Sequence, residues 1–271
     1  MSEIRISQRR IEELERIISD RDKAILLSLQ DCRYLTTGQI KRLHFADKPT
    51  HLSGLRATNR GLVKLKGYGL ITHLNRRIGG VRGGSGSLVS VLTKAGVSLL
   101  GLINTDNTPR KRTFDPSPAF LEHTLAVAET YIQFIEICKR NNLELVESEL
   151  EPASWRKYVG TDGKSVYLKP DIFAVTASGD YEDCWFVEVD LATESPNVVV
   201  GQCLRYARYH KTEFGNDDTF PLVVWIVPSV TRKESLKRHI AESKDLSIKN
   251  AFVVITPDEL EPLLTEGRDG K

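Results

Sequence analysis

Charge changes sign part-way along this chain, and no other feature constrains its folding as much. Residues 1–112 carry 21 Lys or Arg against 9 Asp or Glu, and residues 113–271 carry 17 against 27. A net charge of +12 is therefore followed by one of −10. Beyond Cys32, the first part has only Asp47 and Asp106 as acids. Opposite charge in the two halves of a 271-residue chain predicts two domains with different partners. A basic domain gains affinity for a polyanion by releasing its condensed counterions, so the first half points to nucleic acid. The longest apolar runs, such as residues 222–227, are too short to cross a bilayer. The N-terminal stretch SEIRISQRRIEELERI is charged and lacks the apolar core of a secretory signal. Cys32, Cys138, Cys184 and Cys203 have no CxxC spacing, which argues against a disulfide framework or a cysteine zinc site and predicts a cytoplasmic protein.

In the basic half, Ile4, Ile11, Leu14, Ile17 and Ile18 predict an amphipathic lead-in helix within residues 1–20. Helical spacing resumes over 21–29, with Ala24, Ile25, Leu27 and Leu29 toward a core. Thr36 and Thr37 suit the N-cap of a short helix through Gln39, Ile40, Leu43 and Phe45. After a turn at 46–50, residues 52–66 fit a longer helix. Leu55, Leu62, Val63 and Leu65 form its apolar side; Arg56, Asn59, Arg60 and Lys64 form its polar side. A short helix, a tight turn and a second helix with exposed Arg and Asn is the arrangement that places a recognition helix in the major groove. Arg and Asn also suit bidentate contacts with guanine and adenine edges.

Gly67-Tyr68-Gly69 ends that helix, and alternation continues to Ile78 before the glycine-rich loop 79–86 and a strand over 88–92. Two strands with a basic tip predict a wing, with Arg76, Arg77 and Arg82 along phosphates or in a minor groove. Leu92-Thr93-Lys94-Ala95-Gly96 caps a last helix over 97–102. The order over residues 21–103 resembles a winged helix-turn-helix DNA-binding domain. The glycines lack the GxxxxGK[ST] spacing of a phosphate loop. Some winged helices contact proteins instead; the basic charge argues against that here.

Residues 104–118 are polar, contain three prolines and read as a linker. Leu121, Leu125, Ala128, Ile132 and Ile135 then predict a helix over 119–141. Strands are expected at 143–149, 166–176 and 184–190, the last two joined by the turn Ser178-Gly179-Asp180. A helix at 197–211, a strand at 222–227, a helix at 233–243, a strand at 252–255 and a short helix at 258–264 follow. The order α-β-β-β-α-β over 119–265 is that of the PD-(D/E)xK restriction-endonuclease-like fold. The fold class is therefore α+β, a winged helix followed by an α/β nuclease-like domain.

Asp171 and Glu188 lie 17 residues apart at expected neighbouring ends of a hairpin. Paired carboxylates there repel unless a cation lies between them, which makes the two candidate ligands for Mg²⁺ or Mn²⁺. Such an ion activates water and neutralises charge on a phosphodiester. Where the nuclease pattern has Lys, this chain has Asp190; Lys169 and Lys211 are the candidate lysines to replace it from another position. Gln202, Arg205 and Tyr206 on the following helix are in reach, and Glu122, His123 or Glu129 are candidates to complete a metal shell. The catalytic candidates are thus Asp171, Glu188, Asp190, Lys169 and Gln202. The bland alternatives are strand-end carboxylates facing water and a structural His123. Trp155, Trp185 and Trp225 read as packing residues.

Several short motifs together resemble the replication-relaxation family of plasmids and integrated mobile elements of Gram-positive bacteria. They are Arg21-Asp22 with its following helix, Leu92-Thr93-Lys94-Ala95-Gly96, Leu121-Glu122-His123, Lys169-Pro170-Asp171, Phe186-Val187-Glu188-Val189-Asp190 with Thr193-Glu194, and Leu204-Arg205-Tyr206. The resemblance covers about residues 20–260. It implies a role in replication initiation or relaxation of a mobile element's DNA, and the family is similar in having Asp in place of the nuclease Lys. Two readings stay open: a Mg²⁺- or Mn²⁺-dependent DNA endonuclease that nicks, and a non-catalytic repressor or adaptor whose degenerate nuclease fold serves dimerisation or docking. Either has double-stranded DNA as partner, with other replication or transfer proteins in addition and no membrane. A two-fold symmetric target would imply a homodimer.

Overall fold

A computed structural model describes residues 7–74, 88–103, 116–160, 163–215 and 220–266. Helices and strands are mixed, and the chain divides into two compact units, Met1–Ile132 and Gln133–Lys271.

The first unit begins with helices α1 (Gln8–Ile17) and α2 (Asp20–Cys32), the latter started by a capping box between Ser19 and Asp22. A two-residue strand β1 (Leu35–Thr36) leads into α3 (Thr37–His44), and α4 (His51–Gly67) follows. Thr36 and Thr50 cap these last two helices, each accepting the N–H three residues on. Strands β2 (Ile71–His73) and β3 (Val89–Leu92) and helix α5 (Lys94–Ile103) come next. The strands form an antiparallel sheet of order β1-β3-β2. Leu14, Ile25, Leu26, Leu29, Ile40 and Leu65 are fully buried, so one apolar stripe from each of the first four helices supplies the core.

Two expected core residues lie outside it. Ile17 is 57% exposed, because α1 ends there and Ile18, in extended conformation, takes the buried place. Val63 is 70% exposed, because seven residues bring it nearly two full turns from Arg56 and onto the same polar stripe. The expected wing tip, with Arg76, Arg77 and Arg82, and most of the expected linker lie outside the described residues.

Helix α6 (Pro118–Asn141) ends in the second unit. There β4 (Glu144–Leu150), β5 (Arg156–Val159), β6 (Ser165–Leu168), β7 (Ile172–Ser178) and β8 (Tyr181–Val189) precede α7 (Pro196–Glu213). Then come β9 (Leu222–Ile226), α8 (Val230–Glu242), β10 (Phe252–Ile255) and α9 (Leu260–Glu266). Five strands form one sheet in the order β10-β9-β8-β7-β4, antiparallel among β4, β7 and β8 and parallel from β8 to β10. Every residue of β9 is buried, as a central strand covered on both faces requires. Phe186, Tyr206, Tyr209, Phe220, Val223 and Trp225 form the core against α7 and α8.

The expected strand over 166–176 is two strands. Pro170 cannot donate to a ladder, and its carbonyl accepts the Ser154 hydroxyl at 2.6 Å. Residues 165–168 consequently leave the main sheet and pair with β5 as a separate hairpin. Between β7 and β8, Ser178 pairs with Tyr181 across a two-residue turn in which Gly179 supplies the positive φ of 61°.

Candidate functional site

In the second unit, β7 and β8 pair Ile172 with Val187, so Asp171 and Glu188 are the next residues along each strand. Asp171 is buried, and its Oδ2 accepts the Val189 N–H at 2.8 Å. Glu188 Oε1 accepts the Tyr206 hydroxyl at 2.5 Å. Burial, then the adjacent charge of Asp171, holds the Glu188 carboxyl well above the usual range, against the opposing hydrogen bond from Tyr206. Glu151 and Glu194 add smaller pushes in the same direction. Burial and then Glu188 raise the Tyr206 hydroxyl as well, and the same two causes push the Cys203 thiol up to about 12. A proton held on Glu188, or a cation bound between the two, relieves the repulsion that the Asp171 charge exerts on it.

Asp190 is held differently. It is buried, and Arg232 of α8 grips it with both arms, Nε to Oδ2 at 2.6 Å and a terminal nitrogen to Oδ1 at 3.1 Å. The same guanidinium donates to the Glu194 carbonyl at 2.8 Å, and the Ala192 N–H donates to Asp190 Oδ1 at 3.0 Å. Asp190 is thus the acceptor of an internal clamp. Lys169 places its ammonium 4.3 Å from the centre of the Trp155 ring, and Gln202 donates to Glu194 at 3.1 Å. Arg205 and Lys211 are exposed. Trp185 and Trp225 are buried packing residues, but Trp155 is only partly covered, which corrects the expectation for it.

The candidates on α6 belong to the first unit. Glu129 there accepts Gln39 at 3.2 Å and pairs with Arg42, while Gln39 also donates to the Leu125 carbonyl. Glu122 is exposed and His123 partly buried. Among the described residues, no group of three or more His, Cys, Asp and Glu side chains is placed to hold a metal ion. The donor chemistry that does fit one is the Asp171–Glu188 pair, since Mg²⁺ is commonly held by one or two carboxylates with water completing its shell.

Sequence reasoning missed Arg232 and Glu151. Arg232 lies 42 residues beyond Asp190, and no local spacing marks a partner across that distance. Glu151 follows β4 in the chain, and only the hairpin after it brings it near the pair: its N–H donates to the Asp171 carbonyl at 3.3 Å and its carboxylate accepts the Trp155 indole N–H at 3.2 Å.

In the first unit, Arg56, Asn59 and Arg60 are all exposed on α4, flanked on the same helix by exposed Leu52 and Val63. Lys64 lies at the edge of this stripe with its ammonium 2.5 Å from Asp22 Oδ2. Burial works to raise the Asp22 carboxyl, but hydrogen bonds from Lys64 and Ser19 outweigh it and hold the group below its usual range. Lys64 therefore ties α4 to the capped start of α2. Among the described residues, no helix is long and apolar enough to cross a membrane.

A family model described as replication-relaxation matches residues 26–223. No curated protein matches the chain.

Proposed function

The chain belongs to the replication-relaxation family, and from that premise we propose that it binds duplex DNA of a plasmid or mobile element and acts in its replication or relaxation. The observation that carries this reading is the exposed Arg56–Asn59–Arg60 stripe on α4, within a half of net charge +12. The order α2-β1-α3-α4-β2-β3, with an antiparallel β1-β3-β2 sheet, supports a winged helix whose α4 enters the major groove. Lys64 positions that helix through Asp22; Arg76, Arg77 and Arg82, which the sequence expects in a wing, lie outside the described residues.

For the second unit, the run α6-β4-β7-β8-α7-β9 with Asp171 and Glu188 at adjoining strand ends supports a PD-(D/E)xK-like domain. Asp171 and Glu188 would hold Mg²⁺ or Mn²⁺, which when bound supplies Lewis acidity and lowers the pKa of water. Tyr206 orients Glu188 by its hydrogen bond, and the Val189 N–H orients Asp171. A second reading, the adaptor with a retired nuclease fold, draws support from the Asp190–Arg232 clamp, which occupies the place of the nuclease lysine.

Both halves are tested with the full-length protein. Wild type is expected to shift duplex DNA in a gel, and Arg56→Ala/Arg60→Ala is expected to need a much higher protein concentration for that shift while keeping its circular dichroism spectrum. Unchanged affinity in the folded variant would refute the α4 assignment. Supercoiled plasmid incubated with Mg²⁺ or Mn²⁺ then separates the two readings. Open circles from wild type but not from Asp171→Ala or Glu188→Ala establish a nuclease; none from any of them, with duplex binding intact, leaves the adaptor.

A further inference from the structure

Among the described residues, the hairpin β5–β6 has one face open to solvent. Its register pairs Lys157 with Tyr167 and Val159 with Ser165, and all four side chains are exposed. On the opposite face, Tyr158 and Leu168 enter the core beside Tyr206 and Tyr209. Trp155 and Lys169 continue the outer face beyond the paired residues: the Trp155 ring meets Tyr167 edge-on at 6.3 Å and carries the Lys169 ammonium over its face. Aromatic rings and lysines thus alternate along one exposed ribbon. Arg156 anchors the ribbon from the inner side, bonded to Glu149 at 2.7 Å and packed over Phe173 at 4.2 Å.

The charge here runs against its surroundings. Residues 155–169 hold Arg156, Lys157, Lys164 and Lys169 against one acid, Asp162, within a half of net charge −10. The base of the hairpin is also fastened to the carboxylate site: the Ser154 hydroxyl donates to the Pro170 carbonyl, the Glu151 N–H to the Asp171 carbonyl, and the Trp155 indole to Glu151. A cationic aromatic surface adjoining a carboxylate pair fits a polymer that offers flat π-faces and phosphates at once. Nucleic-acid single strands have that chemistry, since unpaired bases stack on aromatic side chains while lysines follow the backbone. Paired bases in a duplex keep their faces stacked on each other.

We propose that the outer face of β5–β6 holds single-stranded DNA and leads it toward Asp171 and Glu188. The proposal rests on the DNA-binding reading of the protein but uses a surface separate from α4. It gives the acidic half a way to approach phosphates, and it selects melted over paired DNA as what that half handles.

The test titrates the full-length protein with an oligothymidylate while following tryptophan fluorescence, and with duplex DNA by gel shift. Trp185 and Trp225 are 1% and 3% exposed, so quenching by stacked bases reports on Trp155. Wild type is expected to show saturable quenching that weakens with salt. Tyr167→Ala is expected to reduce oligothymidylate affinity about tenfold, the usual effect of losing one stacking ring. Lys157→Glu should reduce it as well. Both side chains are exposed, so the fold survives, and both variants should bind duplex as wild type does. If oligothymidylate affinity is unchanged in both variants, or if duplex affinity falls equally, the proposal is overturned. Duplex binding without any oligothymidylate binding would overturn it too, leaving the α4 reading intact. Oligothymidylate binding without duplex binding would uphold it and sink the α4 reading. Loss of self-association in Tyr167→Ala, with no oligothymidylate binding by wild type, would assign the face to a second copy of the chain instead.

Discussion

At the scale of single residues, the nuclease pattern and the protein part company at Asp190. The Asp190 and Arg232 side chains are 5% and 11% exposed, so most of this ion pair is shielded from water. Removing one partner of such a pair leaves a charge in low dielectric, at a cost of about 3–5 kcal/mol. Arg232→Ala is therefore expected to lose about that much in urea unfolding, and Arg232→Ala/Asp190→Asn to recover part of it. Asp190→Lys, which restores the nuclease residue, should destabilise the protein by setting two cations together and should not create activity. Glu188 poses the converse problem, a carboxyl raised by burial and by Asp171. A raised native pKa means that the folded state holds its proton more tightly than the unfolded chain. The associated stability is complete below the ordinary carboxylate range and is lost as pH rises through the native value. Glu188→Gln keeps an acceptor for Tyr206 and removes the titration. Its stability should fall less than that of wild type between pH 4 and neutrality, measured by thermal unfolding. Equal slopes in the two proteins would show that Glu188 is not held protonated. Asp171 and Glu188 themselves were legible from their spacing, because neighbouring strands bring such positions together. Arg232 was not, because its place depends on how α8 returns to the sheet.

At the scale of elements, most helices are legible through their caps and their period, and the strands less so. The expected strand over 166–176 conceals a separate hairpin, because Val166, Tyr167, Leu168, Ile172 and Phe173 on the two sides of Pro170 favour strand. A two-residue strand such as β1 carries too short a pattern to be read. Val63 is apolar yet shares the angular position of Arg56, so its residue type points to the core and its place on the helix points to solvent. The run Leu92-Thr93-Lys94-Ala95-Gly96 has a clear physical account. The Thr93 hydroxyl donates to the Gly69 carbonyl at 2.5 Å and accepts the Gly96 N–H at 3.1 Å. A Cβ on Gly96 would stand 2.2 Å from the Leu70 carbonyl oxygen, so α5 can start here only against a glycine. Helix propensity alone would favour Ala by about 1 kcal/mol. Forced overpacking against backbone costs about 1–3 kcal/mol, and this contact is severe enough to sit at the upper end. Gly96→Ala is accordingly expected to destabilise the first unit by about 2 kcal/mol in urea. A stabilised variant would mean that α5 does not pack this closely on the α4–β2 turn.

At the scale of the whole molecule, a net charge of +2 describes neither half. A protein that bound DNA through its overall charge would bind weakly and lose the little it had on adding salt. One that concentrates 15 basic residues against two acids over residues 33–112 can neutralise several phosphates at once. Each neutralised phosphate adds about −0.9 to the slope of log affinity against log salt. Duplex binding is therefore expected to show a slope of several units despite the near-neutral chain. Arg56→Ala/Arg60→Ala should reduce that slope by up to about 2, because two cations leave the surface. Asn59→Ala carries no charge change and should leave the slope alone. It should instead lower the preference for the best site over random duplex, by about 1–3 kcal/mol if Asn59 reads an adenine edge. A shallow slope in wild type would place the DNA away from the basic half altogether. A steep slope unaltered by the arginine pair would keep DNA on that half but move it off α4.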